Sequence, residues 1–228
     1  MIRLSASLIK DFLSCPKKAY YRINLPGEGL PSSEQLRGTI VHSVLEKAWR
    51  NKEEAQKELE YQQKKYDFYL EKATITKCID NFFEMFPDFF SENDDVEKYF
   101  RLPQNGGEFA YTGMIDRVHN NVIFDWKTSS TKPQSIDNDI QFMLYSLAYK
   151  QIYGREPSAV VFVSLMHKSL IKYNPKEALI KEFTDKIVPY VLKQIKDNSL
   201  PREGLYKYRG CYKCPFQDVC YKELDDGR

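Results

Sequence analysis

Apolar positions recur with helical spacing near both ends of the chain and alternate in its middle. Leu8 and Phe12 stand one turn apart with Ile9 and Leu13 beside them, which predicts a helix over residues 5–22, capped by Ser5 and distorted at Cys15-Pro16. After a turn-forming stretch with Pro26, Gly27, Gly29 and Pro31, the Ser32 and Gln35 pair has the spacing of a capping box. It opens a second helix to about Asn51, whose face carries Gly38, Val41, His42, Leu45 and Trp49. Residues 52–72 are charged and helix-favouring, and an apolar-aromatic helical segment runs from Ala73 to Phe90. Residues 52–92 are therefore expected to form a helical insertion or lid over the core.

The period then changes to two. Residues 96–102 alternate, 104–107 make a turn, 108–119 alternate again, and 122–127 follow after only Asn120-Asn121, which predicts a three-stranded meander. A helix over 136–153 comes next, then a strand over 158–166 whose run Ala159-Val160-Val161-Phe162-Val163 suits burial on both faces. Asn174-Pro175-Lys176-Glu177 opens a long helix that Pro189 should kink. The expected class is α/β, with core order helix, three strands, helix, strand. Residues 32–51 and 93–198 form that core within a single domain of 228 residues.

Composition narrows the class more than the function. With 42% hydrophobic and 29% charged residues the chain is not wholly disordered. A mean hydropathy of -0.56 and the lack of a long apolar run argue against a spanning helix and a membrane partner. Residues 1–10 lack the pattern of a secretory signal, so a cytoplasmic, reducing location is expected. The 34 basic and 32 acidic residues leave a net charge of +2, which says little about nucleic acid because a phosphate backbone is held by a local basic surface.

The Asn120-Asn121 hairpin carries the first chemical signal. A two-residue turn, which Asn tolerates at positive φ, places His119 opposite Val122, Val118 opposite Ile123 and Asp116 opposite Asp125. Two carboxylates facing each other cost stability unless a cation or proton lies between them. Lys127 projects from the same face as Asp125. Two hard carboxylate ligands and an ammonium are the parts of a Mg²⁺ or Mn²⁺ hydrolytic site. The plainer alternative is a surface hairpin with a solvated Asp-x-Lys pair.

The second signal is Cys211, Cys214 and Cys220, a C-x2-C-x5-C cluster near the C-terminal end. Four-coordinate metal needs one more thiolate, and Cys15, followed by Pro16, is the natural fourth. A three-plus-one split with Cys-Pro pairs suits a 4Fe-4S cluster better than a zinc ribbon, although a zinc-stapled tail or unligated thiols stay open. Cys78, between Ile75 and Phe82 on a helical face, reads as packing.

Gly113-Met114-Ile115-Asp116, Asp125-Trp126-Lys127-Thr128 and Gln141-Phe142-Met143-Leu144-Tyr145, in that order, resemble the motifs of the PD-(D/E)XK nuclease superfamily in its RecB-like exonuclease branch. His42, in Arg37-Gly38-Thr39-Ile40-Val41-His42, matches the histidine of that branch. The resemblance implies that His42, Asp116, Asp125 and the backbone carbonyl of Trp126 hold the metal, that Lys127 is catalytic, and that Gln141 and Tyr145 supply the Q-x-x-x-Y motif. On spacing alone, His42 is a lone histidine on an apolar face, and Gln141 and Tyr145 are a polar helix edge. Glu46 and Glu108 are further acids that no spacing singles out, and His119 and His167 read as strand-end or surface residues.

The cysteine arrangement is similar to the iron-sulfur nucleases: the CRISPR-associated protein four family, the AddB nuclease domain and related helicase-nucleases. That likeness implies a 4Fe-4S cluster on Cys15, Cys211, Cys214 and Cys220 stapling segments 1–30 and 200–228. It also implies a Mg²⁺- or Mn²⁺-dependent exonuclease on single-stranded DNA ends that trims prespacers alongside the CRISPR integrase. A stand-alone or phage recombination and repair exonuclease is the alternative, and a DNA-binding or assembly subunit with little nuclease activity is a reading of another class. Lys17, Lys18, Arg22, Arg37, Lys207 and Arg209, interleaved with Tyr20, Tyr21, Tyr206, Tyr208 and Tyr212, are candidate phosphate and stacking contacts.

Overall fold

The helix expected over 5–22 is two helices joined at Cys15. Strand β1 (Ile2–Ser5) leads into α1 (Ala6–Ser14), where Ser5 Oγ accepts the Leu8 N–H at 3.3 Å. Cys15, which precedes a proline and so leaves the helical region, is extended at φ -152° and ψ 95°. It closes one helix and opens the next. Its N–H donates to the Asp11 carbonyl at 2.7 Å, and its Sγ accepts the Lys18 N–H at 3.4 Å to cap α2 (Pro16–Asn24).

The structure, a computed structural model, describes residues 1–25, 32–66, 71–134, 136, 139–173, 176–197, 201, 204 and 211–225. Expectations on Pro26, Gly27, Gly29, Pro31, Asn174, Pro175, Tyr206, Lys207, Tyr208 and Arg209 lie outside the described residues. The chain divides into two compact units: residues 1–31, 103–111 and 176–228, and residues 32–102 and 112–175. Among the described residues no helix is long and apolar enough to cross a membrane.

In the second unit, Ser32 Oγ accepts the Gln35 N–H and Gln35 Oε1 accepts the Ser32 N–H, so the expected capping box starts α3 (Ser33–Ala48). Helices α4 (Lys52–Lys65) and α5 (Lys72–Met85) follow. Then come β2 (Asp95–Gln104), β3 (Phe109–His119) and β4 (Val122–Lys127), the expected meander; β2 and β3 each have one end in the first unit. Helix α6 (Ile140–Tyr153) begins four residues later than expected because Asp139 Oδ1 caps it through the Gln141 N–H at 2.8 Å. Gly154, at φ +69°, ends it in the left-handed conformation that glycine adopts at no steric cost.

Strand β5 (Ala159–Ser164) runs parallel to β4, as a crossover through α6 requires. An antiparallel hairpin adds β6 (Ser169–Tyr173), which the sequence did not signal because its turn is closed by Lys168 at φ +47° rather than by Gly or Asn. One face of the sheet buries Phe124, Trp126, Val163 and Leu165 against Ile40, Val44, Ile75, Cys78 and Phe82. Helix α5 is thus part of the core, not a lid, and Cys78 packs there as expected. On α6, Phe142 sets its ring 6.3 Å from Phe162 and 5.9 Å from Tyr173.

The first unit holds β1, which pairs with β3, and helices α7 (Glu177–Glu182), α8 (Val188–Lys196) and α9 (Gln217–Asp225). A single π-helical turn over Phe183–Ile187 joins α7 to α8, so the interruption expected from Pro189 falls just before that proline.

Candidate active site

Both turn residues take positive φ, 47° at Asn120 and 66° at Asn121, and the ladder pairs Arg117 with Phe124, Val118 with Ile123 and His119 with Val122. That is the register read from the sequence. Next along the strands, the Trp126 N–H donates to Asp116 Oδ2 at 2.7 Å, so the carboxylate itself bridges β3 and β4.

Asp125 is fully buried and gripped from α6 and from its own strand. Its Oδ1 accepts from Gln141 Nε2 at 3.0 Å and lies 3.2 Å from the Tyr145 hydroxyl. Lys127 Nζ stands 2.6 Å from Oδ2 as an ion pair and donates to Gln141 Oε1 at 3.1 Å. Gln141 and Tyr145 are one turn apart on α6, which lets Gln141 Nε2 also donate to the tyrosine oxygen at 2.7 Å. The tyrosine hydroxyl donates to the Met114 carbonyl at 2.6 Å. Gly113 matters here: a Cβ at this position would lie 2.5 Å from Phe100 Cζ, and the Phe100 ring sits edge-on to Tyr145 at 6.2 Å.

From α3, His42 reaches the same place. Nε2 is 3.0 Å from the Trp126 carbonyl oxygen, and Nδ1 is 3.4 Å from Asp116 Oδ1 and 3.8 Å from Glu97 Oε1. Oxygens face both ring nitrogens, an arrangement suited to the doubly protonated ring. Burial works against that charge, but Asp116 and Glu97 lift the imidazole pKa to about 10. Burial would raise the Asp116 carboxyl, yet His42, Lys127 and the Trp126 N–H hold it below the usual range. Asp125 goes the other way: burial, with Asp116 adding, outweighs Lys127 and pushes it up to about 6. Lys127 is disfavoured by burial but held charged by Asp125 and Asp116.

Hard oxygen donors with one imidazole suit a Mg²⁺- or Mn²⁺-class ion. One observation fits such an ion: single ligand atoms of His42, Glu97 and Asp116 all lie within 4.8 Å of one another. Glu97 was missed in the sequence. Its strand alternates like its neighbours, and nothing in a run of letters marks its backbone at φ +46°. Glu46 lines a cavity of about 470 Å³ with Gly38, Thr39, His42, Ser43 and Glu97, whereas Glu108 belongs to the first unit and pairs with Lys196.

The four cysteines expected to act together all belong to the first unit. Cys15 is buried, Cys214 and Cys220 are half-buried, and Cys211 is exposed; none forms a disulfide. Burial pushes the Cys15 thiol up, and the fields of Cys214, Cys220 and Cys211 add to the shift; Cys214 is raised likewise. The basic and aromatic set fares differently from expectation. Lys17 pairs with Glu223 at 2.5 Å, Lys18 and Arg22 share Asp11, Arg37 is buried against Glu71, and Tyr21 is buried with its hydroxyl on Glu223. These side chains are engaged within the fold, four cations against the three acids Asp11, Glu71 and Glu223, while Tyr212 is exposed.

Compared with curated proteins, the chain has no match. Among solved structures, one titled "Crystal structure of SSO0001" is similar over 96% of this chain and 86% of that chain, at 14% identity and a TM-score of 0.49. A family profile described as the PD-(D/E)XK nuclease superfamily matches residues 3–221. With the match spanning nearly its whole length, the chain belongs to the PD-(D/E)XK nuclease superfamily, which implies metal-dependent phosphodiester hydrolysis.

Proposed function

We propose that the protein is a Mg²⁺- or Mn²⁺-dependent DNA exonuclease acting on single-stranded ends. The observation that carries the reading is the buried Asp125 held by Lys127, Gln141 and Tyr145 beside Asp116 and His42. His42, Asp116, Asp125 and the Trp126 carbonyl are the residues that would hold the cation. When bound, a divalent ion supplies a Lewis acid for a phosphoryl oxygen and acidity for an attacking water. Lys127 keeps its proton next to Asp125 and offsets negative charge that develops on the phosphate. Gln141 ties that ammonium to Asp125, and the Tyr145 hydroxyl, held by the Met114 carbonyl, stands 3.2 Å from the carboxylate. The preference for DNA ends follows the motif resemblance.

The same reading gives Cys15, Cys211, Cys214 and Cys220 a 4Fe-4S cluster. Four free thiols in one another's field, two of them accepting backbone N–H groups, form a donor set for a soft metal centre. Its role is structural, since phosphodiester hydrolysis moves no electrons. Prespacer trimming beside the CRISPR integrase is the setting this reading favours. The test is digestion of end-labelled single strands with Mn²⁺ by the wild type and by Asp125→Asn and Lys127→Met variants. Progressive shortening from the end, lost in both variants, is expected; equal digestion by all three proteins would overturn the assignment.

A further inference from the structure

We propose that Glu97 is a further ligand of the divalent cation, which it would hold together with His42 and Asp116. This rests on the reading of the site as a divalent-metal site and adds a residue that the motif pattern leaves out. A ligating histidine holds its ring by donating its other N–H to a carbonyl or carboxylate. Here Nε2 meets the Trp126 carbonyl at 3.0 Å, which leaves Nδ1 as the nitrogen turned toward an ion. Nδ1 faces two carboxylate oxygens, at 3.4 Å and 3.8 Å, from two different strands.

Two carboxylates converging on one ring nitrogen need positive charge between them; without metal the His42 ring supplies it, and a divalent cation would take the place of its Nδ1 proton. The backbone adds a cost. A non-glycine residue at φ +46° inside a strand is strained by about 1–3 kcal/mol. Glu97 also opens on the cavity it shares with His42, Ser43 and Thr39, so an ion could enter and keep water ligands there.

The experiment is calorimetric titration of Mn²⁺ alone into the full chain. Wild type, Glu97→Gln, Asp116→Asn and Glu46→Gln are compared, with thermal unfolding of each metal-free protein as the check on folding. Glu97→Gln is expected to weaken Mn²⁺ binding by about tenfold or more, the scale at which the surroundings of a metal act. Its metal-free unfolding should stay cooperative, since the lost contact with the His42 ring is offset by relief of repulsion with Asp116. Glu46→Gln removes the same charge from the same cavity wall and should bind Mn²⁺ as wild type does; equal weakening in both variants would reduce the effect to bulk charge and overturn the proposal. If Asp116→Asn loses binding and Glu97→Gln keeps it, the proposal fails while the metal site stands. A wild type that binds no Mn²⁺ overturns both. Crystals soaked in Mn²⁺ should show Glu97 in direct contact with the anomalous peak, and a peak bound to Asp116 without Glu97 would also sink the inference.

Discussion

Asp116 serves two partners with its two oxygens: Oδ2 takes the Trp126 N–H at 2.7 Å, and Oδ1 faces His42 at 3.4 Å. One oxygen of the acid is therefore tied into the sheet while the other is turned to the candidate metal site. Replacing it by alanine strands a buried N–H, which costs about 1–3 kcal/mol, whereas asparagine keeps an acceptor there. Urea denaturation should place Asp116→Ala below Asp116→Asn in stability, with cleavage lost in both. An alanine variant as stable as the asparagine one would show that the strand-bridging bond contributes little.

Lys127 occupies the Asp125 oxygen that a cation would take. Its ammonium lies 2.6 Å from Oδ2, so Lys127→Met should leave Mn²⁺ affinity unchanged or raise it. Cleavage under saturating metal should still fall by about 10²–10³-fold, as when a charge-stabilising donor is removed. Calorimetry and single-turnover digestion separate the two effects.

The Tyr145 hydroxyl is 2.6 Å from the Met114 carbonyl and 3.2 Å from Asp125 Oδ1. Tyr145→Phe removes that donor without changing the ring. A loss of about 1–3 kcal/mol in unfolding free energy is expected. Slower cleavage with unchanged DNA binding should accompany it, since the affected group is Asp125 rather than a DNA contact.

Acid sensitivity should trace to Asp94. Its Oδ2 accepts from Arg117 Nε at 2.9 Å and its Oδ1 lies 2.8 Å from His119 Nδ1, while the Arg117 guanidinium stacks 3.9 Å from the Trp49 ring centre. Burial would raise this carboxyl, but the Ser91 N–H, Arg117 and His119 hold it below the usual range. The stabilisation is thus complete above the unfolded value of about 3.9 and is lost as pH falls through the lower folded value. Asp94→Asn should be less stable at neutral pH and lose less between pH values of about 7 and 3. Parallel loss in both proteins would place the acid response elsewhere.

Iron content tests the cysteine set apart from the nuclease site. Protein purified without oxygen should be brown and carry about four iron atoms per chain. Cys15→Ala and Cys214→Ala should be pale, while Cys78→Ala should keep its colour. Zinc in place of iron would retain the ligand set and discard the cluster type.

The hairpin and its acids were legible because their signals are local: two Asn that tolerate positive φ, an alternating pattern and a fixed count between Asp116 and Asp125. The capping box at Ser32 and the break at Cys15-Pro16 are local for the same reason. Glu97 was not legible, since its place depends on a backbone angle and on where α3 brings His42. The ion pairs of Lys17 with Glu223 and of Arg37 with Glu71 join residues far apart in sequence, and those of Lys18 and Arg22 with Asp11 span a helix break, so runs of basic letters overstated the free positive surface. Strand β6 was hidden by a turn that a lysine closes.

The Asn120-Asn121 turn has one more consequence, which concerns lengths rather than residue types. Each added or deleted residue in a hairpin turn rotates one strand's side chains to the opposite face. A single-residue insertion there would carry Asp116 away from Asp125 while every motif letter stayed in place. Variants with the motifs intact but the spacing between the two aspartates changed by one would then be folded sheets without a reaction centre.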